Sequence, residues 1–177
     1  MDARMRGFTL VELVIVVAIL AILLAVAVPA LAPLVERQRA GSAMSALSTQ
    51  MQLARMAAIT YRRPAVLCPS RNGSACDGGT DWGLGWLLFL DMDGNHQPDA
   101  ADEILRNEPV PAARSHMRLV GTTGRPRLRY LPDGRSAGSN LTISVCNAQG
   151  ALLGAVIVNN VGRPRAFRPV SPAPCPG

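Results

Sequence analysis

The sequence predicts an α+β fold in which a long N-terminal helix packs on a small antiparallel β-sheet head. Residues 10–28 are apolar except for Glu12, and an apolar stripe with helical spacing follows as far as about Tyr61. Short β-like runs separated by turn residues begin after Pro64. The 177 residues are enough for one compact domain with an appendage and too few for two ordinary domains with separate cores.

Charge is distributed unevenly along the chain. All 18 cationic residues are arginine, against 12 acidic residues. Residues 1–76 hold eight Arg and three acids, residues 77–108 hold one Arg and eight acids, and residues 114–177 hold nine Arg and Asp133 alone. A strongly basic C-terminal third beside an acidic middle suggests a polyanionic partner for the basic part.

The first apolar segment has the length of one membrane span. Residues 8–28 would form about 31 Å of helix, which matches a bilayer core of about 30 Å. No small-residue cleavage site follows the apolar run, so an ordinary secretory signal is not indicated. Arg4 and Arg6 favour a cytoplasmic N-terminus, with the bulk of the chain on the other side of the membrane.

Glu12 is the one charge in this segment, and a carboxylate there costs a few kcal/mol in lipid unless it lies at the interface or is paired. The run Arg6-Gly7-Phe8-Thr9-Leu10-Val11-Glu12 before an apolar helix resembles the class III signal of type IV prepilins and pseudopilins.

That resemblance implies that a prepilin peptidase cuts between Gly7 and Phe8 and that Phe8 is then N-methylated. It also implies that Glu12 pairs with the N-terminal amine of a neighbouring pilin during assembly. Residues 1–7 are then a leader peptide and residues 8–28 a transmembrane and assembly helix. The alternative is an ordinary signal anchor with a stray Glu.

Residues 29–62 are predicted to form an amphipathic helix that ends before Pro64. Pro29 and Pro33 each remove a backbone donor, so they are expected to kink the helix or open it locally. We expect the apolar stripe to pack on a sheet and not to form a separate coiled-coil site. Its members recur at alternating steps of four and three: Ala40, Met44, Leu47, Met51, Ala54 and Ala58.

Residues 63–177 are predicted to form a β-rich globular head. The candidate strands are residues 65–68, 83–90, 117–120, 128–131, 141–146 and 152–158. Residues 82–91, Trp-Gly-Leu-Gly-Trp-Leu-Leu-Phe-Leu-Asp, resemble the aromatic strand and acidic turn of the GspH/FimT branch of the pilins. The resemblance then covers nearly the whole chain and implies a pilin-like fold.

Four cysteines lie in the part predicted to leave the cytoplasm, where an even count favours disulfides. Three connectivities are possible. We expect the local pairing, Cys68 with Cys76 and Cys146 with Cys175, the second of which would close a basic C-terminal tail onto a strand. Zinc is the rival, but the chain has no C-x-x-C spacing and its two histidines are distant in sequence.

An acidic segment after the aromatic run partly matches a calcium-binding loop. His96 replaces the glycine of the sixth position, and Asp occupies the twelfth in place of Glu. The resembled family usually has an acidic connection between strands here. We therefore predict no metal, with one weak calcium candidate at positions one, three, five, nine and twelve: Asp91, Asp93, Asn95, Asp99 and Asp102.

Nothing in the sequence supports catalysis. It contains no G-x-S-x-G elbow, no P-loop and no paired histidine motif, so we predict a non-enzymatic protein without a cofactor. An ATPase that drives pilus movement would be a different chain.

The C-terminal tail carries the strongest functional signal. Gly162-Arg163-Pro164-Arg165 resembles the G-R-x-R tail motif of FimT-type minor pilins, which bind DNA during natural transformation. Arg168 is a further candidate outside the motif. We expect an extended loop that contacts the phosphates of double-stranded DNA, because guanidinium groups suit phosphate. The same tetrapeptide occurs at residues 124–127 without this context.

Two function classes follow. The first is a minor type IV pilin that binds double-stranded DNA for uptake. The alternative is a structural minor pilin, or a GspH-like pseudopilin of type II secretion, that does not bind DNA. In either case the partners would be other major and minor pilins, the prepilin peptidase and the inner membrane before assembly. The head would lie in the periplasm and then in the extracellular filament.

Overall fold

One long helix precedes eight β-strands in a computed structural model that describes residues 9–100, 102–109 and 117–176. The predicted cleavage position between Gly7 and Phe8 lies outside the described residues. Helix α1 spans Leu10–Tyr61. The strands are β1 (Ala65–Pro69), β2 (Gly85–Leu90), β3 (Glu103–Pro109), β4 (Arg118–Gly121), β5 (Leu128–Tyr130), β6 (Leu141–Cys146), β7 (Leu152–Val158) and β8 (Pro164–Phe167).

The chain divides into two compact units, Met1–Arg37 and Gln38–Gly177. In the first unit the side chains of α1 are almost all exposed, and an 18-residue window has a mean hydropathy of 3.2. By length and composition this helix could cross a membrane. Pro29 and Pro33 both lie inside the helix, so neither of them ends it.

In the second unit, α1 buries the predicted apolar stripe. All six predicted members are at most 3% exposed, and Ala57 joins them, which confirms the helical period. The helix ends at Tyr61, as predicted, and Arg62 follows with a left-handed φ of 52°.

The strands form two four-stranded antiparallel sheets where the sequence predicted one. Sheet A has the order β3-β2-β1-β5 and sheet B the order β4-β6-β7-β8. Strands β3 and β8 are absent from the predicted set. Both are edge strands, so each has a neighbouring strand on one side and solvent on the other. The sequence of such a strand need not alternate between apolar and polar residues.

The main core lies between α1 and the two sheets. Its largest fully buried side chains include Trp82, Trp86 and Tyr130. A smaller cluster of Val66, Leu87 and Phe89 lies apart from it on sheet A, packed with the Cys68–Cys76 disulfide. Both faces of β1 and β2 are therefore buried, which explains their continuous apolar runs.

Two disulfides are present, and they follow the local pairing. Cys68 pairs with Cys76 and Cys146 with Cys175, at Cα–Cα distances of 5.6 and 5.8 Å. Cys175 also donates its backbone N–H to the carbonyl of Gly150 at 2.8 Å. The chain end is thereby attached to the β6–β7 hairpin.

Candidate nucleic-acid interface

The tail motif lies on the β7–β8 hairpin. A turn closed by a 2.8 Å hydrogen bond from the Gly162 N–H to the Asn159 carbonyl leads into β8, which pairs with β7 at the edge of sheet B. Arg165 lies opposite Ile157 within this ladder. The expectation of a loop is therefore wrong for Arg165, because backbone pairing to β7 orders the segment despite its two charges and its proline.

Gly162 is buried and has a φ of +81°, a left-handed conformation that favours glycine. A β-carbon at this position would collide with the carbonyl oxygen of Gly134 and would lie 3.0 Å from a ring carbon of Tyr130. The glycine of the motif thus brings the turn onto the loop at residues 131–136. It positions the arginines and offers little surface to a ligand.

The same loop is attached to helix α1. Arg55 donates from Nε to the Gly134 carbonyl at 2.9 Å, and the Ser136 N–H donates to the Asn160 carbonyl at 3.1 Å. Helix, loop and hairpin turn are therefore joined at one point. Sequence reasoning missed Arg55 and Gly134, because no local pattern marks a contact between residues 79 positions apart.

Arg163 and Arg165 are exposed. In the part of the chain that the structure describes, no carboxylate lies within 4.0 Å of either guanidinium. Guanidinium groups stay charged at any physiological pH. The turn before β8 and the start of β8 therefore carry one positive charge each, and no acid within 4.0 Å in the described residues offsets them.

Arg168 is exposed as well, but it lies toward the helix. Its Nη2 is 3.0 Å from the point where a β-carbon of Gly41 would lie. Together with Ala166 it lines a cavity of about 580 Å³ against α1, whose other lining residues are Gly41, Met44, Ser45, Ser48 and Thr49. Arg165 alternates with Ala166 along the strand and points to the opposite face of sheet B. The structure thus separates Arg168 from Arg165.

The earlier Gly-Arg-Pro-Arg, at residues 124–127, is used differently. Arg125 donates to the carbonyls of Ala137, at 3.0 Å, and Ser139, and Arg127 donates to the carbonyl of His96 at 2.7 Å. Burial lowers the pKa of Arg125. These two guanidiniums hold loops together, whereas those of the tail motif make no such bond within the described residues.

Two further exposed arginines are offset by acids. Arg135 Nε lies 2.6 Å from Asp133 Oδ2, and Arg71 Nε lies 3.7 Å from Asp77 Oδ2. Hydrogen bonds from the backbone N–H and the side chain of Arg135 hold the pKa of Asp133 below its ordinary value. Such pairs present less net positive charge to an anion than Arg163 and Arg165 do.

Glu12 lies exposed in the first turn of α1. Its backbone N–H donates to Thr9 Oγ1 at 3.2 Å, so Thr9 caps the helix. The pattern Thr-x-x-Glu is a recognised start signal that the sequence reasoning did not use. The capping bond uses the backbone of Glu12 and leaves its carboxylate available.

The acidic segment brings part of the calcium candidate together. Carboxylate oxygens of Asp91, Asp93 and Asp102 lie within 4.8 Å of one another. Asn95 instead donates from Nδ2 to Asp93 and to Asp99, each at 2.8 Å. Three of the five predicted positions therefore form one cluster.

Family comparisons cover most of the chain. A family model described as type II transport protein GspH matches residues 43–162, and the prokaryotic N-terminal methylation motif matches residues 2–28. The pilin-like protein PilA1 of Thermus thermophilus is 30% identical over 163 residues, which are 90% of this chain and 97% of PilA1. The methylation motif and the apolar helix fit membrane anchoring and pilus assembly.

Solved structures share the fold. The type IV minor pilin FimU of Pseudomonas aeruginosa superposes with a TM-score of 0.61 at 19% identity, over 81% of this chain and all of FimU. The minor pseudopilin EpsH of the Vibrio cholerae type 2 secretion system gives 0.51 at 12% identity, over 75% of this chain and 99% of EpsH. Because the GspH model matches more than half of the chain and PilA1 nearly all of it, the protein belongs to the type IV pilin and pseudopilin superfamily, in its GspH/FimT branch.

Proposed function

We propose that this minor pilin binds double-stranded DNA for uptake in natural transformation, through phosphate contacts from Arg163 and Arg165. The observation that carries the proposal is the contrast between two identical tetrapeptides. In one the arginines bind protein carbonyls. In the other they are exposed, without a neighbouring acid, on a turn anchored by Gly162 and on the strand that follows it. Exposed arginines on an ordered backbone suit phosphate binding, since little order has to be created on association.

The contacts are expected to carry little sequence preference. β8 is a four-residue edge strand, and no helix lies at the motif to enter a major groove. Two neutralised phosphates give a log-log salt slope of about −1.8, from about −0.9 per phosphate. The affinity of one subunit for DNA is then weak, and simultaneous binding by many subunits along a filament would compensate for it.

Topology and processing belong to the same proposal. The peptidase would cut after Gly7, leaving Phe8 as the methylated N-terminus, and Glu12 would pair with the amine of a neighbouring subunit. The head would lie in the periplasm before assembly and outside the cell in the filament. No enzymatic activity is proposed, because members of this superfamily serve as structural subunits.

The second candidate is a structural minor pilin or a type II secretion pseudopilin that does not bind DNA. One observation favours it: the match to the GspH model ends at Gly162, so Arg163 and Arg165 lie outside the matched region. A purely structural subunit needs the fold and the N-terminal helix, and neither requires the side chains of Arg163 and Arg165, which are exposed.

Fluorescence anisotropy with labelled duplex DNA at several salt concentrations separates the two candidates. The protein would be the compact unit of residues 38–177, which contains the whole core. Arg163→Ala with Arg165→Ala should abolish most of the salt dependence and weaken all sequences alike.

The matched control is Arg71→Ala with Arg106→Ala. This double variant removes the same charge from exposed positions outside sheet B, and Arg106 lies on β3 of sheet A. We expect it to bind DNA nearly as the wild type does. Equal loss in both double variants would mean that net charge alone attracts DNA. A wild-type protein that does not bind at low salt would favour the structural subunit.

A further inference from the structure

We propose that the carboxylates of Asp91, Asp93 and Asp102 bind one calcium ion in the connection between β2 and β3. Asp91 directly follows β2, and Asp102 directly precedes β3. Oxygens from all three side chains lie within 4.8 Å of one another, a spacing that a single cation coordinated at 2.3–2.6 Å can bridge. The proposal is independent of DNA binding.

The burial of Asp91 carries the inference. This residue is 1% exposed, and its Oδ2 has no hydrogen-bond partner. Oδ1 accepts the N–H groups of Gly94, at 3.0 Å, and His96, at 3.4 Å, so only one of the two oxygens is satisfied. An ionised carboxylate removed from water needs a compensating charge or donor for each oxygen.

The protein supplies little such compensation. Within the described residues, the basic side chain within 4.0 Å of Asp91 Oδ2 is His96, whose Nε2 lies at 3.8 Å, beyond hydrogen-bond distance. The same Nε2 contacts Nη1 of Arg129. Asp102 Oδ2 is also buried without a partner. Within the described residues no arginine lies within 4.0 Å of Asp91 or Asp102. Neighbouring carboxylates also repel one another, so a divalent cation would relieve both the repulsion and the unmet hydrogen-bonding capacity.

The donor set favours calcium. It consists of carboxylate oxygens, whereas zinc prefers nitrogen and sulfur, and magnesium demands a near-ideal octahedron. The spacing follows the calcium-loop pattern, with His96 where glycine is usual. His96 nevertheless has a φ of +63°, the left-handed conformation that glycine would supply, so this departure from the pattern does not prevent the turn.

Equilibrium dialysis of the full chain in detergent micelles with radioactive calcium tests the proposal. We expect one saturable site with a dissociation constant of about 10⁻⁴ to 10⁻³ M, the range of extracellular modules. Calcium should raise the melting temperature relative to chelator, and magnesium should do so less.

The diagnostic variant is Asp93→Asn, because Asp93 is exposed and an asparagine can still accept the N–H of Asn95. We expect about tenfold or greater loss of calcium affinity, with an unchanged melting temperature in chelator. Asp77→Asn is the matched control, since it removes one acid that is paired with Arg71 outside the cluster, and should bind as wild type does.

Three results would overturn the proposal: no saturable uptake up to about 5 mM calcium, wild-type affinity in Asp93→Asn, or equal loss in Asp77→Asn. The variant Arg163→Ala with Arg165→Ala should keep its calcium site, so failure of DNA binding and failure of calcium binding are separate outcomes.

Discussion

Gly162 packs directly against the carbonyl oxygen of Gly134, and this contact leaves no space for a β-carbon at position 162. Arg55 binds the same carbonyl from the helix side at 2.9 Å. The turn that carries Arg163 is thereby attached to the core of the head and not only to its neighbouring strand. Position 162 requires glycine for two reasons: the backbone there has a left-handed φ, and the contact with Gly134 leaves no space for a side chain.

Gly162→Ala should therefore destabilise the head by more than the conformational cost alone. That cost is about 1 to 2 kcal/mol for a residue in the left-handed region, and the collision with Gly134 adds to it. Urea denaturation of the 38–177 unit measures the difference.

Gly150→Ala is the control for this change. Gly150 has a φ of +80°, nearly that of Gly162, but nothing lies within 4 Å of its missing β-carbon. The excess loss in Gly162→Ala over Gly150→Ala is the contribution of the contact. Equal losses would mean that the turn moves away from Gly134 without penalty.

The two Gly-Arg-Pro-Arg segments should respond in opposite ways to truncation. Arg125→Ala leaves the carbonyls of Ala137 and Ser139 without their donor, so we expect a loss of about 1 to 2 kcal/mol in the free energy of unfolding and little change in DNA binding. Arg163→Ala should leave stability unchanged and flatten the salt slope by about 0.9. Unfolding and anisotropy titrations of both variants check this, and a stability loss in Arg163→Ala would contradict it.

Periodicity made the helix predictable from the sequence. Burial on one side of α1 forces apolar residues to recur every three or four positions, and the stripe from Ala40 to Ala58 follows this rule. The central strands β6 and β7 were predicted with their observed bounds, because core packing requires apolar residues there. The residues of edge strand β8 are half-buried or exposed, so core packing makes no such requirement there.

The site was predictable only in its local part. The motif marks Arg163 and Arg165, but the separation of Arg168 depends on the pleat of β8 and on the position of α1 beside it. Nothing local distinguishes Arg125 from Arg163 either. Arg125 differs from Arg163 in the loops that lie beside its side chain, and the positions of those loops depend on contacts between residues distant in sequence.

Removal of the Cys146–Cys175 disulfide should destabilise the head without releasing the motif. Cys146→Ala with Cys175→Ala removes a cross-link between residues 29 positions apart. In the chain-entropy model this lowers the free energy of unfolding by about 3 to 4 kcal/mol. DNA affinity should change little, since β7 and Gly134 hold the segment independently.

The shorter closure is the control. Cys68→Ala with Cys76→Ala removes a cross-link between residues only 8 positions apart. It should lower the free energy of unfolding by about 2 to 3 kcal/mol. Unfolding in urea gives both values. Loss of DNA binding in the variant without Cys146 and Cys175, at a concentration where it is folded, would show that the disulfide itself positions the arginines.

Processing gives a further test. If the peptidase cuts after Gly7, protein recovered from pili begins at Phe8, and Gly7→Asp accumulates as precursor in the inner membrane, because the larger charged side chain no longer fits the peptidase. Mass spectrometry of the N-terminus measures both. Protein that retains Met1 in assembled pili would exclude the cleavage.

Glu12 should matter for assembly and not for the helix. Its backbone N–H, not its carboxylate, makes the capping bond to Thr9, so Glu12→Val keeps that bond and removes a charge from an apolar helix. Membrane levels should equal or exceed those of wild type, while the amount in sheared pili falls, because the amine of the neighbouring subunit would lose the partner proposed for it. Quantitative immunoblots of membrane and pilus fractions measure the two effects. Glu12→Gln separates charge from size: it should fail in assembly as Glu12→Val does, and normal incorporation of this variant would show that the negative charge is dispensable.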